Sequence, residues 1–232
     1  MVEKFYKKNL VSIIIRTKNE KKFILKTLNK IQSQKEKNFE IIIVDNHSTD
    51  NTVNEIKKKG FNNVVIKNYP YKIYKPGLAL NYGAKFSNSK YLCFISAHCM
   101  PLDNMWLKNL ILPLNDKKVV GVYGKQVPTK MTNIFEKKDL LYVFRDEKIV
   151  QKKSSFFHNA NSIIKKNFWE KKKFDVRTDH IEDIIWARFW IKKKYRIIYE
   201  PKASVSHYHG MSHYNKGKKI KKILKIIENF KL

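Results

Sequence analysis

Val11-Ser12-Ile13-Ile14-Ile15 runs straight into Arg16-Thr17-Lys18-Asn19-Glu20. The apolar half is short, continuous and rich in β-branched side chains, the pattern of a strand buried on both faces. The polar half follows without a spacer. The same device recurs twice. Glu40 to Val44 runs into Asp45-Asn46-His47-Ser48-Thr49-Asp50, and Tyr91 to Ile95 runs into Ser96-Ala97-His98-Cys99. In a parallel sheet the carboxyl ends of the strands share one edge, and ligands bind where the loops leaving that edge converge.

Between these strands the periodicity changes to that of helices. Lys21 to Gln34 places Ile24, Leu28 and Ile31 on one face. Ser48, Thr49 and Asp50 are suited to cap a helix that Gly60 ends. Asn63 to Ile66 reads as a strand, Gly77 to Phe86 as a helix, Asn104 to Leu112 as a helix behind Pro101, and Val119 to Tyr123 as a strand. Alternation of this kind predicts an α/β fold with a mostly parallel central sheet. Beyond Gly124 the pattern is less regular. A strand is expected within Ser154 to Ile164, a helix over Glu182 to Lys192, and short strands at Arg196 to Tyr199 and Ala203 to His207. In the last stretch, Ile220, Ile223, Leu224 and Ile227 fall at i, i+3, i+4 and i+7 with lysines between them, the pattern of a basic amphipathic helix. Such a helix can lie on an anionic membrane surface or pack on its own domain.

Composition narrows the class. The chain has 232 residues, 43% of them hydrophobic, enough for a core. Its formal net charge is +29, from 49 basic and 20 acidic residues. Only Arg16, Arg145, Arg177, Arg188 and Arg196 are arginine, so a lysine-rich, AT-biased coding preference accounts for the charge as well as selection for a partner does. Either way, such a surface attracts phosphates and anionic lipid. Cys93 and Cys99 do not form a disulfide framework, and with no secretory h-region near Met1 the expected setting is cytoplasmic, peripheral to a membrane at most. There is no Gly-x-Gly-x-x-Gly, no Walker A and no Gly-x-Ser-x-Gly, which argues against dinucleotide oxidoreductases, P-loop NTPases and serine hydrolases.

Several residues at the strand exits can carry chemistry. Asp45 can accept from a nucleobase or ribose, whereas Asp50 is better placed to cap. Thr17 can meet a base, and Arg16 or Lys18 a phosphate. The third exit carries Ser96-Ala97-His98, where a metal-dependent nucleotide-sugar enzyme usually has an Asp-x-Asp of hard oxygen ligands. His98 can ligate Mn²⁺ or donate to phosphate, and His207 and His209, two apart on a strand, can join it. Glu182-Asp183 at a helix start can simply suit the helix dipole, or can serve as a general base with an orienting partner. Trp169, Trp186 and Trp190 can stack on a sugar or fill the core.

Together these motifs resemble the inverting GT-A glycosyltransferases of family 2, over about residues 10 to 213. Residues 11 to 20 look like that family's opening strand and loop. Ile41 to Asn46 with Ser48, Thr49 and Asp50 looks like its "VDxxSxD" segment, and Gly77 to Ala84 resembles the "GxxxARNxG" helix. Phe94 to Pro101 resembles the "FLSQDAxP" variant and Val205 to Ser212 the "VxHSHxxS" end of rhamnosyltransferase-like members, with Ser-Ala-His in place of the usual Asp-x-Asp. The resemblance implies a nucleotide-binding αβα sandwich over residues 1–213, with a donor half at about 10–123 and an acceptor half at about 124–213, followed by the basic helix at 214–232. It implies transfer of a sugar from a dTDP- or UDP-sugar to a hydroxyl of a surface glycan or lipid-linked saccharide. Asp183 is then the base and Glu182 orients the acceptor. Arg16, Thr17, Glu20, Asp45, Asn81 and Ser96 bind the nucleotide sugar, and His98, His207 and His209 hold a divalent metal, Mn²⁺ or Mg²⁺. Expected partners are the donor, the acceptor and an anionic membrane surface, with no specific nucleic acid. The competing readings are a polyanion-binding protein and an inactive transferase-like protein.

Overall fold

The computed structural model of the chain describes residues 9–130 and 132–207. One nine-stranded sheet runs through these residues, with helices on both faces. Its first half alternates strictly: β1 (Val11–Thr17), α1 (Lys21–Gln32), β2 (Phe39–Asp45), α2 (Thr52–Lys59), β3 (Val64–Asn68), α3 (Pro76–Ala84) and β4 (Tyr91–Ser96). Then come β5 (Cys99–Pro101), α4 (Trp106–Ile111), β6 (Val119–Pro128), α5 (Ile134–Val143), β7 (Ile149–Gln151), β8 (Asn161–Lys165), α6 (Lys166–Lys171), α7 (Glu182–Lys192) and β9 (Arg196–His207).

The strand order is β3-β2-β1-β4-β8-β6-β9-β5, with β7 also on β9. β3, β2, β1 and β4 pair in parallel, and so do β6 and β9. β8 is antiparallel to both of its neighbours, so β4 and β6 still point the same way. The expected mostly parallel αβα sandwich is the fold observed. The two short strands expected near the end are one long strand, β9, because its pairing with β6 continues past an irregularity between Gly124 and Gln126.

Period-two alternation explains the two helical layers. On β1, Ile13 and Ile15 face the cluster that contains Ile24, Leu28 and Ile31 of α1. Ile14 faces the opposite cluster, with Ala79 and Leu80 of α3 and Trp186 of α7. All of these side chains are buried. Full burial of each large aliphatic side chain is worth about 1.5–3 kcal/mol, which is why both faces of β1 must be apolar. The helix α3 lies close against the sheet at Gly83. A Cβ at Gly83 would stand 2.7 Å from Cγ2 of Ile14 and 2.9 Å from Cγ2 of Val44.

The loops leaving β1 and β2 are tied to one another. Asp50 accepts from the backbone N–H of Lys21 and of Thr52, each at 3.0 Å, so one carboxylate serves the first turns of α1 and α2. Asn19, at φ 55°, accepts the N–H of Thr49 at 2.8 Å. Gly60 ends α2 at φ 63°, as expected of a left-handed helix stop. Cys93 and Cys99 are free thiols, and burial pushes both well above the ordinary thiol range. No helix among the described residues is long and apolar enough to cross a membrane. Residues 214–232, with their amphipathic pattern, lie outside the described residues.

Candidate active site

From β1 the chain steps outward through β2 to β3, then returns to place β4 on the other side of β1. The loops on either side of this reversal diverge, and a crevice opens at the carboxyl ends of β1 and β4. Arg16 and Ser96 face each other there as register partners. Two chambers meet at this point. One, of about 230 Å³, is lined by Thr17, Lys18, Glu20 and Tyr74 together with Arg16, Ser96 and His98. The other, of about 440 Å³, shares Arg16, Ser96 and His98 and extends to Asn159, Glu182 and Asp183.

The acidic pair enters the larger chamber on the first turn of α7. Ile181, just before it, has φ 63° and ψ 14°, a conformation that costs a β-branched residue energy and must be held by its surroundings. Asp183 accepts from the N–H of Asn159 at 3.1 Å and from its neighbour Ile184 at 2.9 Å. Glu182 accepts from the Asn159 side-chain amide at 3.5 Å. Both carboxylates are buried. Burial pushes Glu182 up to about 7, and the like charge of Asp183 pushes the same way, against Arg16 and Asn159. Asp183 is also raised, chiefly by burial, although two backbone N–H groups and Arg16 oppose the shift. For Arg16, burial alone would lower the pKa. Tyr74, Glu182 and Asp183 outweigh it, so the net shift is upward and the guanidinium stays charged.

The smaller chamber has its own chemistry. Oγ1 of Thr17 is buried and has no hydrogen-bond partner among the described residues. Glu20 holds Nδ1 of His98 at 2.7 Å. His98 stacks on His207, with ring centroids 5.2 Å apart and planes 10° from parallel, and Nδ1 of His207 is bonded to Oε1 of Gln126.

Most of the residues singled out from sequence stand at this crevice: Arg16, Thr17, Glu20, Ser96, His98, His207, Glu182 and Asp183. Two stand elsewhere. Asp45 is the register partner of Thr17, but its carboxylate is buried against its own loop, accepting the N–H of Ser48 at 3.0 Å and the Ser48 hydroxyl at 2.5 Å. It does not line either chamber. The Asn81 amide is committed to the fold. Its Oδ1 accepts from the Trp169 indole at 2.9 Å and from the N–H of Phe174 at 3.1 Å, and its Nδ2 donates to the Phe174 carbonyl at 2.9 Å. That makes it a framework residue. His209 lies outside the described residues.

The expected metal set is not assembled by the described residues. No group of three His, Cys, Asp or Glu side chains among them is placed to hold an ion. Of the three expected histidines only His98 and His207 are described, and their rings stack with planes 10° from parallel, so the lone pairs in those planes run side by side.

Sequence reasoning missed His158, Asn159 and His180, which also line the larger chamber. For the first two the signal is the run His158-Asn159-Ala160-Asn161 before an apolar stretch, whereas His180 precedes α7 with no such run to mark it. In a parallel sheet, residues before a strand fall at the far edge. Because β8 is antiparallel to β4, with Asn161 opposite Ile95, they arrive at the near one.

Known proteins resemble this chain in sequence and in fold. The model of the family described as Glycosyl transferase family 2 matches residues 12–196. A dolichyl N-acetyl-alpha-D-glucosaminyl phosphate 3-beta-D-2,3-diacetamido-2,3-dideoxy-beta-D-glucuronosyltransferase of Methanococcus voltae is 37% identical over 127 residues, 50% of this chain and 39% of that protein. The O-antigen chain rhamnosyltransferase RfbN of Salmonella typhimurium is 24% identical over 214 residues, 86% of this chain and 67% of that one. The chain therefore spans between 39% and 67% of the length of these relatives. Among solved structures, the mannosyltransferase PcManGT from Pyrobaculum calidifontis, in complex with GDP-Man and Mn²⁺, superposes with a TM-score of 0.74 at 18% identity, covering 95% of this chain and 65% of that one. S. aureus TarS 1-349 in complex with UDP-GlcNAc does so with a TM-score of 0.68 at 17% identity, covering 94% and 65%.

Proposed function

The chain belongs to glycosyl transferase family 2, and on that premise we propose that it transfers a sugar, with inversion, from a nucleoside diphosphate sugar to a hydroxyl of a glycan or lipid-linked saccharide. The observation that carries this reading is the buried pair Glu182-Asp183, in one chamber with Arg16 and His98.

A sugar hydroxyl is a weak nucleophile, and a carboxylate within hydrogen-bond reach makes it stronger by taking its proton as attack proceeds. Asp183 is assigned that role. The N–H groups of Asn159 and Ile184 hold its carboxylate and favour the charged form, while burial raises its basicity. The acceptor oxygen then bonds to the anomeric carbon from the face opposite the nucleoside diphosphate, whose bond to that carbon breaks. Glu182, raised to about 7, can carry a proton beside Asp183 and hydrogen-bond a neighbouring acceptor hydroxyl.

The donor is assigned to the smaller chamber. The Thr17 hydroxyl, buried and without a partner among the described residues, meets the nucleoside end. Arg16, Lys18 and His98 meet the diphosphate, where positive charge stabilises the leaving group. Arg16 belongs to both chambers, so it faces the diphosphate while offsetting the acidic pair. Solved neighbours bound to GDP-Man and UDP-GlcNAc support a nucleoside diphosphate sugar as donor class. The O-antigen chain rhamnosyltransferase relative supports a glycan as acceptor class.

The test is a donor screen on the purified full chain that measures release of nucleoside diphosphate, with saccharide acceptors, with added Mn²⁺ and with chelator. Acceptor-dependent release from one donor is expected. Asp183→Asn at undiminished turnover would remove the basis for the assignment.

A further inference from the structure

The helix α5 is apolar where it should be polar. Leu140 and Phe144 point inward and are buried. Ile134 and Leu141 are 72% and 61% exposed, and Phe135 and Tyr142 are 68% and 74% exposed. Each pair is seven residues apart, so the four side chains share one helical face. Ile149 and Val150 of β7 are exposed as well. Isolated exposed apolar residues need no explanation, but a contiguous group of this size marks a surface that something covers.

From this we infer that the covering segment is the chain's own stretch around Ile220, Ile223, Leu224 and Ile227. Three observations favour it. The first is connectivity. β9 ends at His207, which pairs with Pro128 at the end of β6, and α5 begins only a few residues beyond Pro128. The chain beyond His207 therefore sets out from the edge where α5 starts. Residues 208–219 reach about 40 Å when extended, ample to bring the stripe onto α5.

The second is complementarity of pattern. The stripe repeats at i, i+3, i+4 and i+7, so it presents one apolar face and needs one apolar partner. A tethered segment meets its partner at millimolar effective concentration, which favours it over a separate molecule.

The third is charge. The chain has 49 basic residues against 20 acidic ones, yet residues 134–150 balance Glu136, Asp139, Asp146 and Glu147 against Lys137, Lys138, Arg145 and Lys148. Asp146, which pairs with Lys125, and Glu147 are exposed just after α5. Lys218, Lys219, Lys221, Lys222 and Lys225 flank the apolar stripe. A locally neutral surface repels a lysine-rich segment less, and attracts an anionic bilayer less, than the rest of this basic chain does. This assignment does not depend on the transfer reaction, because no step of its test measures activity.

Native Cys93 and Cys99 are fully buried, so introduced thiols can be read against a quiet background. The full-length Leu141→Cys, Leu224→Cys double variant is oxidised mildly and compared with Leu141→Cys, Lys222→Cys, whose second thiol falls on the opposite side of the stripe. An intramolecular disulfide at least tenfold more abundant in the first variant is expected. A disulfide between two chains, or equal yields, would overturn the inference. Hydrogen exchange gives a second reading. Ile223→Asp with Leu224→Asp in the full chain should speed exchange of residues 134–143 about tenfold and leave β1 unchanged. Unaltered exchange there would count against the inference. So would flotation with phosphatidylglycerol vesicles that Leu141→Asp with Tyr142→Asp abolishes.

Discussion

The backbone N–H of Asn159 donates to Oδ2 of Asp183 at 3.1 Å, across 24 residues of chain. This contact fastens the first turn of α7 to the entry of β8. Asn159 is itself buried, and its own carbonyl oxygen Oδ1 accepts from Ser162 on β8 at 3.1 Å. The carboxylate is therefore aimed by the sheet as well as by Ile184 of the helix it sits on. No substitution at 159 other than proline removes a backbone donor, so the aim survives most changes around it.

Asp183→Asn should test the chemistry while keeping the bond that crosses to β8. The amide oxygen can still accept from Asn159, the amide nitrogen gives up the bond from Ile184 N–H, and the capacity to take a proton is gone. Turnover should fall by about 10²–10⁴-fold, the usual contribution of a positioned base. Nucleoside diphosphate binding by calorimetry should change little, because Asp183 lines the other chamber. Equal losses of binding and turnover would mean that the residue holds the fold and not the proton.

Glu182 makes stability depend on pH in a defined direction. Its folded pKa is about 7, against 4.5 for an ordinary glutamate. Between those values the folded chain retains a proton that the unfolded chain has lost, so stability falls as pH rises from about 4.5 to 7 and levels off above. Glu182→Gln removes that slope. Urea denaturation at pH 5 and pH 8 should show the wild type losing about 1–3 kcal/mol more than the variant over this interval. Parallel pH profiles would show that burial leaves Glu182 charged.

Much of this site could be read from sequence because the parallel half is local in its logic. An apolar strand followed by a polar exit places Arg16, Ser96 and Glu20 at one edge whatever the tertiary detail, and β1, β2 and β4 fell where the pattern put them. Reading stopped short where the sheet changes direction and where packing decides the partners of a polar group. An antiparallel β8 brings Asn159 to the cleft from before its strand, and no periodicity reveals a strand's direction. The helix α5 was missed because its apolar residues fall on two faces. Asp45 and Asn81 carry the side chains a ligand site uses, yet their partners are Ser48 and the Phe174 loop, contacts set by packing.

Thr17 offers the sharpest separation of binding from stability. Its buried hydroxyl has no partner among the described residues. Replacing it with the isosteric Val removes an unsatisfied polar group, which is neutral or stabilising by up to about 1 kcal/mol. If a nucleotide supplies the missing partner, the same change should weaken nucleoside diphosphate binding by about tenfold, the worth of one hydrogen bond to a buried group. Thermal melting with and without the nucleotide reads both effects. Unchanged affinity would take the donor out of this chamber.

Gly77 connects the fold to the acidic pair. A Cβ there would lie 2.2 Å from the Asp175 carbonyl oxygen and 3.2 Å from Cβ of Glu182. The first neighbour cannot swing aside. Asp175 and Arg177 bridge each other at 2.6 Å, and Lys75 donates to the Arg177 carbonyl at 2.8 Å, so the 175–177 turn is closed on itself and tied to the residue before α3. With Gly77→Ala, either α3 backs away or the start of α7 shifts. The cost of such overpacking is about 1–3 kcal/mol, to be measured by urea unfolding. The displacement bears on Glu182 and Asp183 but not on Thr17 or Lys18. Turnover should therefore fall by more than tenfold, the usual sensitivity of a catalytic step to small misplacement, with nucleoside diphosphate affinity held within about twofold. A variant as stable and as active as the wild type would show that the cleft does not need α3 to approach so closely.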